Sequence, residues 1–116
     1  MINGFPIETA LLTEFEKGLA ERIAPYLLKK IGKAQAVTNK QMIRGIKDVW
    51  NIKLSDARLR KIINYLRIKD KVPKLIATSK GYYIAETQKE LIDYIESLDQ
   101  RVKAIAAVKN ALEKQL

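Results

Sequence analysis

The sequence predicts a mainly α-helical protein with one small β-hairpin, an N-terminal helix and a long C-terminal helix. Three observations carry that expectation. Apolar residues recur at helical spacing up to about Ile68. The period then shortens over Val72–Ala85, around a Ser79-Lys80-Gly81 turn. From Thr87 onward it is helical again, with no Gly or Pro to interrupt it. With 116 residues, 47% of them hydrophobic, the chain has room for one domain of roughly 70 to 90 residues and a further helix or two.

The first helix is expected to enter through Pro6 and to bury Ile7, Leu11, Phe15, Leu19 and Ile23, a stripe at spacings of four. Pro25 kinks it or starts a second short helix, Tyr26 to Ile31, with Gly32 as its C-cap. Residues 33–38 form a connection. Thr38 or Asn39 can cap a helix from about Lys40 to Val49, with Met42, Ile43, Ile46 and Val49 inward. Trp50 and Ile52 fall in the turn that follows. Ser55 caps a third helix, Asp56 to about Ile68, which buries Leu59, Ile62, Ile63 and Leu66. Asp56 suits the positive end of that helix dipole.

Val72–Thr78, opened by Pro73, reads as an edge strand, and Tyr82–Ala85 as its partner. Gly81 supplies the turn with the residue free to take positive φ. Tyr82 and Ile84 should point one way and Tyr83 the other. Each tyrosine could stack on a base, or one could cover the third helix. Thr87 followed by Glu90 is a capping box. Beyond it Leu91, Ile95, Leu98, Val102, Ile105, Leu112 and Leu116 fall at alternating spacings of four and three, with Lys109 in the one polar slot. This seam is too long for a domain of this size to cover, so part of it should meet the N-terminal helix or the same helix of a second chain. The expected division is 1–25 for the N-terminal helix, 26–86 for the central domain and 87–116 for a packing or dimerisation helix.

Charge is segregated along the chain. The overall +9 resolves into −2 over residues 1–28, +12 over residues 29–80 and −1 over residues 81–116. A field so concentrated attracts phosphate backbones. Cysteine and histidine are absent, which removes disulfides, thiol chemistry and the usual zinc ligands. There is no glycine-rich phosphate loop, and Ser55, Ser79 and Ser97 have no visible base. Glu86, Glu90, Asp93 and Glu96 follow ordinary helical surface spacing, so neither an enzyme nor a bound cofactor is expected. The opening residues lack the basic and apolar parts of a signal peptide, and no apolar run reaches 18 residues, so a cytoplasmic address without a membrane span is expected.

With its apolar positions buried, the third helix leaves Ala57, Arg58, Arg60, Lys61, Asn64, Tyr65 and Arg67 outside, with no acidic residue after Asp56. A B-DNA major groove accepts a helix, offering guanine O6 and N7 to an arginine and adenine N6 and N7 to an asparagine. Arg60 and Asn64, four apart, are the expected base-reading pair. Arg58, Lys61 and Arg67 on the helix, with Lys74, Thr78, Ser79 and Lys80 on the hairpin, are expected at the DNA backbone. Double-stranded DNA is therefore the expected partner. A second copy would join through Leu91, Ile95, Leu98, Val102, Ile105 and Leu112. A protein-interaction module, its long helix gripping another partner and its basic patch secondary, is the alternative.

The run from Ser55 to Arg67, followed after a short gap by Ile76-Ala77-Thr78-Ser79-Lys80-Gly81-Tyr82-Tyr83-Ile84-Ala85, resembles the recognition helix and wing of winged helix-turn-helix regulators. That group includes the N-terminal domain of the biotin operon repressor and small phage-encoded winged-helix proteins. The resemblance covers about Tyr26 to Ala85. It implies that the helix matching Asp56–Arg67 enters the major groove and that Thr78–Gly81 touches the backbone or minor groove. It implies a regulator of transcription or replication.

Overall fold

The computed structural model describes residues 11–116. The expected helix entry at Pro6 and the stripe position Ile7 lie outside these. The described elements are α1 (Glu14–Leu28), a 3-10 turn (Lys33–Gln35), α2 (Asn39–Trp50), α3 (Asp56–Ile68), β1 (Leu75–Thr78), β2 (Gly81–Ile84) and α4 (Gln88–Glu113). They fall into two compact units, one ending at Glu86 and the other spanning Thr87–Leu116.

Helix α1 starts where Thr13 and Glu16 cap one another: the Glu16 N–H donates to Thr13 Oγ1 at 3.1 Å and the Thr13 N–H donates to Glu16 Oε1 at 2.9 Å. The expected stripe needs correction. Leu11 is 92% exposed and Phe15 51%, while Leu12, Leu19, Ala20, Ile23 and Leu27 are buried. Leu11 precedes the helix, and within it spacings of four advance each position by about 40° around 3.6 residues per turn, so Phe15 winds off the face that buries Leu19 and Ile23. Nor does a second helix begin after Pro25, because α1 continues through it to Leu28. Ile23 and Leu27 anchor the helix in the core on either side of the proline, which removes only one helical hydrogen bond near the end of the element. The division expected at residue 25 therefore cuts through a continuous helix.

Helix α2 is fixed by a second capping box, Thr38 with Gln41, and ends at Asn51, which takes the left-handed conformation at φ 55°. Met42 and Ile46 are buried, but Val49 is 75% exposed, contrary to expectation. It lies beside an open cleft between α1 and α2, where Trp50 takes the inward position under the Arg22 guanidinium, 4.2 Å from the ring centre. Ser55 caps α3 through the Arg58 N–H, and all four expected core positions of α3 are buried. Leu59, Ile62 and Leu66 have no exposed area at all. Truncating any one to alanine should cost about 2–5 kcal/mol.

β1 and β2 pair antiparallel with Leu75 opposite Ile84 and Thr78 opposite Gly81. The first strand starts later than expected. Val72 is buried but precedes it, and Lys74 turns the chain at φ 62°. A two-stranded hairpin is marginal alone. Here the outer edge of β2 is occupied by the segment between α1 and α2. Gly32 N–H donates to Ile84 O at 2.9 Å, Ile84 N–H to Lys30 O at 2.7 Å, and Val37 and Tyr82 exchange bonds of 3.0 and 2.7 Å. Gly81, at φ 119°, lies against that segment so closely that a Cβ would stand 2.5 Å from the Val37 carbonyl.

In the second unit α4 begins at the Thr87–Glu90 capping box and runs for 26 residues, none of them buried. No described helix is long and apolar enough to cross a membrane.

Candidate nucleic-acid interface

Helix α3 and the hairpin carry the residues expected to meet DNA, and a polar relay ties them together. The Tyr82 hydroxyl donates to Asn39 Oδ1 at 2.7 Å, and Asn39 Nδ2 donates to Asp56 Oδ1 at 3.0 Å. The hairpin, the start of α2 and the start of α3 are thus held in one geometry. Tyr82 and Tyr83 are both buried, so neither ring stands out to stack on a base. Tyr82 joins the main core.

On α3, Arg60 is exposed and Asn64 and Arg67 are half-buried. They follow one another at i, i+4 and i+7 and so share a face. Arg67 Nη1 donates to Asn64 Oδ1 at 3.4 Å, joining the expected base reader to its neighbour. At the hairpin turn Thr78, Ser79 and Lys80 are all exposed, and the Lys80 N–H donates to Thr78 Oγ1 at 3.1 Å. Lys74 is exposed before β1.

Arg58 and Lys61 are placed differently. Both reach Glu16 of α1, Arg58 Nε at 2.8 Å from Oε2 and Lys61 Nζ at 2.9 Å from Oε1. The Glu16 side chain is 4% exposed and that of Lys61 16%, whereas Arg58 keeps 42%. The expectation of a cationic helix without an acidic partner is therefore corrected: the partner comes from a different helix. Burial alone would raise the Glu16 pKa. The Thr13 N–H, Arg58 and Lys61 outweigh burial and lower it from 4.5 to about 2. Glu16 is the residue that sequence reasoning missed. The Thr13-x-x-Glu16 box marks it locally as a capping residue, but no local signal marks its pairing with α3.

Other features are less suited to chemistry. The cleft beside Trp50, about 250 Å³, falls below the usual 300–1,000 Å³ of a ligand site. Among the described residues no three acidic side chains gather as a metal site. Glu90 caps α4 and Asp93 pairs with Lys89 at 2.8 Å. No protein-family model, curated protein or solved structure matches this chain.

Proposed function

We propose that this protein binds double-stranded DNA sequence-specifically as a winged helix-turn-helix regulator of transcription or replication. The observation that supports this best is the joining of Arg60 and Asn64 on the outer side of α3 to an exposed Thr78-Ser79-Lys80 turn within one packed unit. In this reading α3 enters the major groove, Arg60 and Asn64 meet base edges, and Arg67, Lys74, Thr78, Ser79 and Lys80 meet the backbone. Arg58 and Lys61 reach phosphate only at the expense of their bonds to Glu16. The helix–hairpin order, with residues 31 and 37 bridged to β2, suits a wing closed onto its helices. Two copies join through α4.

Selection from a random duplex library tests this directly. Enrichment of one duplex, bound with an affinity that falls steeply with salt, is the expected result. A library that returns no enriched sequence overturns sequence-specific reading. The absence of any buried residue in α4 also favours a second reading, in which that helix holds a different protein and the basic face is secondary. Binding of such a partner would survive neutralisation of Arg60, Lys74 and Lys80.

A further inference from the structure

We infer that α4 pairs with α4 of a second copy as a parallel, in-register, two-stranded coiled coil whose register is set by Lys109. This rests on the reading that the α4 seam joins two copies, and it is independent of DNA binding. A 26-residue helix is about 39 Å long. Along it Val102, Ile105 and Leu112 are 63%, 68% and 58% exposed. Nearer its start Ile95 is 53% exposed and Leu91 and Leu98 are half-buried.

The identity of the seam residues selects the occupant. With spacings of four and three, Ile95, Val102 and Lys109 take the a positions of a heptad along α4, and Leu91, Leu98, Ile105 and Leu112 the d positions. β-branched residues at a with leucine at d favour two parallel strands, a pattern that Ile95 and Val102 with Leu91, Leu98 and Leu112 follow and that Ile105 at d departs from, and a lone lysine at a fixes register and strand number at some cost in stability. An unrelated apolar partner would not require that division between a and d. Orientation follows from Lys109. In a parallel pair both copies of it share one layer. In any antiparallel register a faces d, so the two lysines would spoil two separate layers. The Lys109 ammonium lies 3.1 Å from Glu113 Oε2, at the flanking e position, so the charge is already drawn sideways while the stem lies along the seam.

The chain has no cysteine, so one introduced thiol reports the geometry cleanly. Full-length Leu112→Cys should sediment as a dimer when reduced and cross-link to itself under mild oxidation, since identical d residues oppose one another across a parallel axis. Ile105→Asp should be monomeric at tens of micromolar while keeping its helix content. Lys109→Leu should dissociate at least about tenfold less readily and lose strict two-strandedness. A wild-type monomer, or a trimer, overturns the inference. A dimer in which the introduced cysteine fails to cross-link overturns the parallel register. Failure to bind DNA by a protein that passes these tests would count against the DNA reading alone.

Discussion

Replacing Glu16 by glutamine keeps the shape of the side chain and removes its charge. Lowering the carboxyl pKa from 4.5 to about 2 corresponds to about 3 kcal/mol of folding stability at neutral pH. The substitution also leaves Lys61, 16% exposed, without its counter-charge, a change that costs about 3–5 kcal/mol when one partner of a buried pair is removed. The two figures describe overlapping interactions, so the expected loss at pH 7 is about 3–5 kcal/mol rather than their sum. For a domain of this size that lowers the melting temperature by roughly 12–40 °C. Trp50, the only tryptophan, lies in the first unit and makes urea unfolding followed by its fluorescence a local readout. A lowered pKa stabilises the folded state above the unfolded value and loses that contribution as pH falls through the folded one. The gap between wild type and Glu16→Gln should therefore be constant from pH 8 to about 5.5, then close between about 4.5 and 2. A gap under about 1 kcal/mol at pH 7, or one that does not change with pH, would refute the claim that Glu16 is a charged anchor between α1 and α3.

Three further outcomes are expected. Gly81→Ala forces a Cβ to 2.5 Å from the Val37 carbonyl at φ 119°, so it should cost about 2–4 kcal/mol in thermal unfolding. Gly18→Ala meets nothing within 4 Å on an exposed side of α1 and should stabilise by about 0.5–1 kcal/mol in the same assay. Tyr82→Phe removes the hydroxyl that donates to Asn39 at 2.7 Å and should cost about 1 kcal/mol in urea unfolding.

Local chemistry made much of this fold readable. Ser55 and the Thr87–Glu90 box mark helix starts that the chain adopts, and the period of Leu59, Ile62, Ile63 and Leu66 places the buried face of α3 correctly. The Thr13–Glu16 box is an equally local signal and would have placed the start of α1 better than a stripe of fours did. What could not be read depends on contacts between distant segments. Glu16 meets Arg58 and Lys61 across 42 and 45 residues, and a buried glutamate looks in sequence like any helix-start carboxylate. The bridges from Ile31 and Val37 to β2 form because the hairpin folds back on the α1–α2 connection, whose short polar sequence has no strand period. Of the candidate interface, the exposure of Arg60 and of the hairpin turn was legible. The turning of Lys61 toward α1 was not.

The most direct test of DNA reading compares Arg60→Ala with Lys80→Ala on the selected duplex and on a scrambled one, over a salt series. Loss of a base contact at Arg60 should cost roughly 1–3 kcal/mol on the selected duplex, little on the scrambled one, and relax preference at one or two positions. Loss of a phosphate contact at Lys80 should weaken both duplexes alike and reduce the salt slope by about one ion. If the two variants prove indistinguishable in specificity and in salt slope, α3 does not read bases.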